Sequence, residues 1–270
     1  MVNLAGLGRV EREKITSLLC NTKHTISVAE AAKILSLSNE AAAKLLSRLT
    51  SKGWFSRIKR GVYVPVPLDS ITASIPLEDP WIIAESIYSP CYIGGWSAAE
   101  HWGLTEQIYR TILVYTLNKP RDHNPNINGT DFLLRTTSEE NMFGLKSVWR
   151  GQIKVLVSDP SKTILDFLVD PVLGGGIRNI TDMFLCYLKS EYKDIELLIE
   201  YASTLASGSV FKRLGFLLEQ YEPKQIQAIE ICKDNISKGK IKLDPSITEN
   251  NLISRWQLWV PKNLVKRHDN

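Results

Sequence analysis

Val28-Ala29-Glu30-Ala31-Ala32-Lys33-Ile34-Leu35 is followed by Ser36-Leu37-Ser38, and then by a run from Asn39 to Lys52 that stops at Gly53. The first segment holds strong helix formers with an apolar stripe at Ala31, Ile34 and Leu35, so it predicts a helix. The three residues after it are a short turn. Asn39 to Lys52 predicts a second helix, ended where a residue without Cβ takes the left-handed conformation at low cost. Its Ala42, Leu45, Leu46 and Leu49 recur at i, i+3, i+4 and i+7 and mark the face that packs inward. The opposite face carries Glu40, Lys44, Ser47, Arg48 and Ser51. Next come Trp54-Phe55-Ser56-Arg57-Ile58-Lys59-Arg60-Gly61-Val62-Tyr63-Val64, where apolar and polar residues alternate on both sides of a Lys-Arg-Gly turn. That pattern predicts a two-stranded wing with a basic tip, and residues 28–66 together read as a winged helix-turn-helix.

Working outward, residues 7–20 predict a preceding helix with an apolar stripe at Leu7, Val10, Ile15, Leu18 and Leu19. Ser27, with Glu30 three residues on, has the spacing of a capping box. Charge is gathered in this part of the chain. Residues 1–66 hold eleven Lys and Arg against four Glu, a net of +7, where the whole chain is +4; the remainder is therefore near −3. A local excess of this kind is the electrostatic footprint of a phosphate-facing module. Lys44, Ser47 and Arg48 are expected at the major groove, where cations read guanine, with Lys52 toward the backbone. Arg57, Lys59 and Arg60 are expected on phosphates or the adjacent minor groove. A rival reading keeps the same elements as a module that binds an acidic protein or RNA.

A chain of 270 residues with 44% hydrophobic content builds a core without staples. Cys20, Cys91, Cys186 and Cys232 are scattered, with no metal-ligand spacing, and read as buried thiols of a reducing, cytoplasmic compartment. No apolar run is long enough to span a bilayer, so no membrane partner is expected. Prolines at 65, 67 and 76 predict a connector over 67–78. The body, 79–270, is expected to be α+β, with a small sheet and a helical second half. Asp79-Pro80 starts a helix to Tyr88. Ser97 and Glu100 have capping-box spacing for a short helix ending at Gly103. Strands are expected at 111–117, 131–136 and 147–157, the last interrupted at Arg150-Gly151, with a polar loop over 118–130. Asp159-Pro160 starts a second helix to Val169. The glycines at 174–176 make a bend, helices follow at 181–189, 194–205, 209–221 and 223–236, and short β segments lie at 240–243 and 255–260.

Little in the body reads as chemistry. Gly95-Trp96-Ser97-Ala98-Ala99 departs from a nucleophile elbow at its second glycine, although Asp166 and His268 follow in hydrolase order. Asp131 and Gln152-Ile153-Lys154 outline a degenerate PD-(D/E)xK nuclease site, with glutamine where a metal-binding acid belongs. His101 is expected to be a hydrogen-bonded core residue and Arg213 a salt-bridge partner. No catalytic residue, metal or cofactor is expected.

Tyr92-Ile93-Gly94-Gly95-Trp96-Ser97-Ala98-Ala99-Glu100-His101-Trp102-Gly103-Leu104-Thr105 resembles the AbiEi family, antitoxins of abortive-infection type IV toxin–antitoxin systems that are also described as transcriptional regulators of viral defence. The Lys59–Tyr63 turn, Lys162-Thr163-Ile164-Leu165-Asp166 and Arg213-Leu214-Gly215-Phe216-Leu217-Leu218-Glu219 agree with it, so the resemblance spans about residues 25–220. On the body it marks Gly94, Gly95, Ser97, Glu100, His101, Asp166 and Arg213. The resemblance implies a winged domain that binds inverted repeats in double-stranded DNA at its own promoter, with two copies on the operator. It also implies a C-terminal domain that antagonises a nucleotidyltransferase-like toxin without a stable complex. Some family members stand alone, without a toxin.

Overall fold

The computed structural model describes residues 8–21, 25–66, 79–127, 129–150, 153–248, 250–262 and 264. The expected connector and His268 lie outside them, as do Leu7, Gly151 and Gln152.

The N-terminal unit runs α1 (Arg9–Asn21), β1 (Ile26–Ser27), α2 (Val28–Leu35), α3 (Asn39–Ser51), β2 (Phe55–Lys59) and β3 (Val62–Pro65). The Ser27 hydroxyl accepts from the Glu30 amide at 3.2 Å while the Glu30 carboxylate accepts from the Ser27 amide at 2.7 Å, which is the expected capping box. Ser38, read as part of the turn, also caps α3, by accepting from the Ala41 amide. Ala42, Leu45, Leu46 and Leu49 are all buried against Ile15, Leu18, Ala31, Phe55 and Tyr63. The three strands form an antiparallel sheet in the order β1-β3-β2, and Gly61 turns the hairpin with φ +83°. The α1 stripe is narrower than expected. Ile15 and Leu18 are buried, but Val10 and Leu19 are exposed, because α1 meets α2 and α3 along one narrow seam.

The body begins with α4 (Pro80–Tyr88), whose Asp79 cap accepts from the Trp81 amide as the Asp-Pro start predicts. It continues with β4 (Cys91–Ile93), α5 (Gly95–His101), β5 (Thr111–Thr116), β6 (Asn126–Ile127), β7 (Thr130–Thr136), β8 (Leu145–Arg150) and β9 (Ile153–Ser158). These strands make a six-stranded mixed sheet in the order β6-β7-β5-β4-β9-β8, larger than the small sheet the sequence led us to expect. Three things account for the difference. The stretch 147–157 is a hairpin of two strands rather than one interrupted strand, β4, three residues long, is hidden inside the glycine-rich motif, and the expected polar loop over 118–130 contains β6, which pairs with β7. Cys91 and Ile93 join the α4 side of this sheet with Val114, Phe132 and Val157. Tyr92, between them, points to the other side, where its hydroxyl meets Asp166.

That other side is covered by α6 (Pro160–Val169), which opens the helical part: α7 (Ile177–Lys189), α8 (Ile195–Leu205), α9 (Gly208–Tyr221) and α10 (Ile226–Asp234). The bend at 174–176 is present, with Gly175 and Gly176 at positive φ, and α7 starts directly after it, four residues before the expected position. A second sheet, in the order β10-β12-β11, comprises β10 (Ile241–Lys242), β11 (Asn250–Ile253) and β12 (Leu258–Pro261). It docks through Trp256, which is buried and donates its indole N–H to Glu219 at 2.6 Å. Gly215 on α9 makes room for that ring: a Cβ there would collide with Trp256 and stand 2.8 Å from Cys232 Cβ. Gly215→Ala is therefore expected to destabilise. A helix-propensity gain of about 1 kcal/mol is outweighed by overpacking of about 1–3 kcal/mol, and the midpoint of denaturant unfolding reads the balance.

Candidate nucleic-acid interface

The outer face of α3 follows from its inner one. With 42, 45, 46 and 49 buried, positions 44, 47 and 48 lie three and four apart on the opposite side, and Lys44, Ser47 and Arg48 are all exposed there. Lys52, at the C-cap of α3, is half-buried. Its ammonium binds Glu11 Oε2 at 2.6 Å, and Arg48 Nε binds Glu11 Oε1 at 3.1 Å. Both expected DNA-facing cations are thus tied to a carboxylate on α1. The Lys52 hydrogen bond holds the Glu11 carboxyl below its usual range, helped by the positive charges of Lys52, Arg48 and Lys14 against the opposing effect of burial. Arg57 is exposed on β2 and Arg60 is exposed at the hairpin tip; Lys59 stands between them on β2, its side chain outside the described residues. Sequence reasoning missed Glu11, because a lone glutamate on a polar helix surface carries no signal of the residue it will meet across a helix pair.

In the body, the expected capping box at Ser97 is absent. The helix begins at Gly95 with Gly94 as its cap residue, and Gly95 has φ +52° in a spot where a Cβ would run into Leu113. Ser97 is therefore inside the first turn, and its hydroxyl accepts from the Leu113 amide at 3.0 Å, fastening α5 to β5. Glu100 Oε2 accepts from the Tyr109 amide at 3.4 Å. His101 is exposed rather than a core residue, with its ring edge-on to Trp81 and Trp102, and partial desolvation of the ring together with the nearby Arg150 charge lowers its pKa. With Asp79, Trp81, Ser97, Tyr109 and Arg150 these two line an open cleft of about 410 Å³. Arg150 stacks over the Trp81 ring at 4.3 Å, and its Nε lies 3.5 Å from Asp79.

Asp166 is not near that cleft. It lies buried on α6, ion-paired with Lys162 one turn earlier and bonded to the Tyr92 hydroxyl at 3.3 Å. Burial pushes its carboxyl up, opposed by the Lys162 charge and by hydrogen bonds from Lys162 and Tyr92. Among the described residues Arg213 forms no salt bridge of the expected kind. Its guanidinium donates to the Leu168 carbonyl at 2.7 Å and the Lys242 carbonyl at 3.1 Å, which ties α9 to the end of α6 and to β10. These carbonyls take the place of an acid because Arg213 is inside the helical layer, where chain ends present unpaired acceptors.

Among the described residues neither catalytic outline is brought together. Ser97 and Asp166 are each committed to the partners above. Asp131 is on β7 and Lys154 on β9, three strands apart in the sheet, which at strand spacing is about 14 Å. Among the described residues no group of three or more His, Cys, Asp or Glu side chains could hold a metal ion. All four cysteines are free. Cys91 and Cys232 are buried, whereas Cys20 and Cys186 are exposed, contrary to the expectation of four buried thiols. Among the described residues no helix is long and apolar enough to cross a membrane.

No curated protein matches the chain. Among solved structures it is similar to the RV2827C protein from Mycobacterium tuberculosis, with 12% identity, a TM-score of 0.56, and 96% of this chain and 94% of that chain covered. At that identity the likeness is one of fold, and it takes in the N-terminal unit and the body alike. Residues 13–66, which carry α2, α3 and the hairpin, match a family model, while the motif segments of the body lie beyond the match. The matching model is that of the family described as "Transcriptional regulator, AbiEi antitoxin", and residues 13–66 are similar to it.

Proposed function

We propose that the N-terminal unit is a winged helix-turn-helix that binds double-stranded DNA, and that the chain is a transcriptional repressor acting on inverted repeats at its own promoter. The observation that carries this reading is the outward face of α3, where Lys44, Ser47 and Arg48 stand exposed on the side opposite a fully buried apolar stripe. The element order α1-β1-α2-α3-β2-β3, with the basic hairpin beside that face, suits a recognition helix in the major groove and a wing on the flanking phosphates. The net of +7 in residues 1–66 supplies the attraction to phosphate. One such unit has limited contact area, so two copies on an inverted repeat are expected.

In this proposal the body is the antitoxin half and contains no catalytic machinery. Support for that half comes from the resemblance of its motif segments to the AbiEi family, whose members antagonise a nucleotidyltransferase-like toxin without forming a stable complex. A stand-alone regulator with no toxin beside it is the alternative within the same family. Growth of cells expressing an adjacent nucleotidyltransferase, with and without the full chain, separates the two.

The DNA reading is tested by a mobility-shift assay with the region upstream of the protein's own gene. A shift that competitor RNA does not abolish is expected. Loss of the shift to RNA, or no shift at low ionic strength, would favour the rival interaction module. Replacing Lys59 and Arg60 by alanine is expected to weaken binding to every duplex alike. It should also lower the salt slope by about one for each phosphate left without its cation, as measured by titration over a range of salt concentrations.

A further inference from the structure

Glu11 lies on α1, away from the helix pair and hairpin that define the proposed reading head, yet its carboxylate is the shared partner of two of that head's cations. We infer that Glu11 is a positioning residue for sequence recognition by α3; this rests on the DNA-binding function proposed above. The carboxylate pairs with Arg48 at Nε, 3.1 Å away, and restrains the side chain there, while the two terminal nitrogens are outside that contact. That pair is the fork that meets O6 and N7 of guanine. The exposures fit a buttress: the Arg48 side chain is 56% exposed and the Glu11 side chain beneath it 19%. An arginine already ordered in the free protein loses less rotamer freedom on binding, so more of its contact energy survives as preference for the right base.

The second oxygen has a different effect. By binding Lys52 at 2.6 Å, it offsets a positive charge at the C-terminal end of α3, which the proposed docking turns toward the DNA backbone. Attraction to phosphate is independent of sequence, so trimming it lowers affinity for every duplex. Glu11 thus raises the ratio of specific to non-specific binding by strengthening the base contact, while its restraint on the phosphate contact lowers affinity for both duplexes alike. A plain clamp between α1 and α3 would use the same atoms, but it would affect stability and leave that ratio alone.

The test uses the full chain, a duplex from the region upstream of its own gene, and a scrambled duplex of the same composition, titrated at one fixed salt concentration. For Glu11→Gln the scrambled duplex is expected to bind about two- to threefold tighter and the upstream duplex more weakly, so that preference falls about tenfold. Glu11→Asp keeps the charge but is too short to reach both cations. For it the scrambled affinity should stay unchanged while preference falls several-fold. Retention of the wild-type preference by both variants overturns the inference. So do equal reductions on both duplexes that track a lowered denaturation midpoint, since those identify a clamp. If the unaltered protein itself fails to prefer the upstream duplex, the DNA-binding proposal fails, and that is visible before any substitution is made.

Discussion

Replacing Asp166 by alanine is expected to cost the body about 3–5 kcal/mol, because it removes the ion-pair partner of the Lys162 ammonium in the interior. The Lys162 side chain is 1% exposed and the Asp166 side chain 5%, so water cannot stand in for the missing partner. What remains around the ammonium is the Tyr92 hydroxyl at 3.5 Å, the faces of Phe143 and Tyr92 at 5.0 and 5.5 Å, and the more distant charge of the buried Asp159. Those neighbours are worth less than a paired carboxylate. Denaturant unfolding at pH 7 reads the deficit. The combination Lys162→Met, Asp166→Leu and Tyr92→Phe, which removes every polar group together, should recover most of that stability. A deficit under about 1 kcal/mol at pH 7 would mean the pair is far better hydrated than its burial implies.

Arg48→Ala is expected to lower affinity for the upstream duplex by about 1–3 kcal/mol, roughly 5- to 150-fold, with a much smaller change on scrambled DNA. The asymmetry arises because a base-edge contact is made only on the right sequence, whereas phosphates are present on every duplex. Arg48→Lys keeps the charge but cannot make a bidentate fork, so it should resemble alanine in preference and wild type in scrambled affinity. Equal reductions on the two duplexes would move Arg48 from base reading to backbone contact. The wing substitutions are the internal comparison, since their effect should be uniform across sequences.

Where a local pattern repeats with the period of its own element, the sequence alone determined the outcome. The 42-45-46-49 stripe fixed which face of α3 turns inward, and so which residues turn outward. Ser27 with Glu30, and Asp79 and Asp159 ahead of proline, set helix starts through bonds within three residues of the cap. None of this needs knowledge of distant segments. Tertiary contacts decided the rest. Ser97 and Glu100 have the spacing of a capping box, yet close packing of Gly95 against Leu113 starts the helix earlier and turns both side chains to the strand and loop beyond. Three residues of β4 are too few for alternation to register, and they become the centre of a sheet only because β5 and β9 flank them. Asp166, Arg213 and Glu11 look alike in one dimension, as charges on amphipathic helices. Only the fold made one half of a buried pair, another a tie to backbone carbonyls, and the third the shared partner of Arg48 and Lys52, because a charge takes its role from what lies within about 4 Å of it.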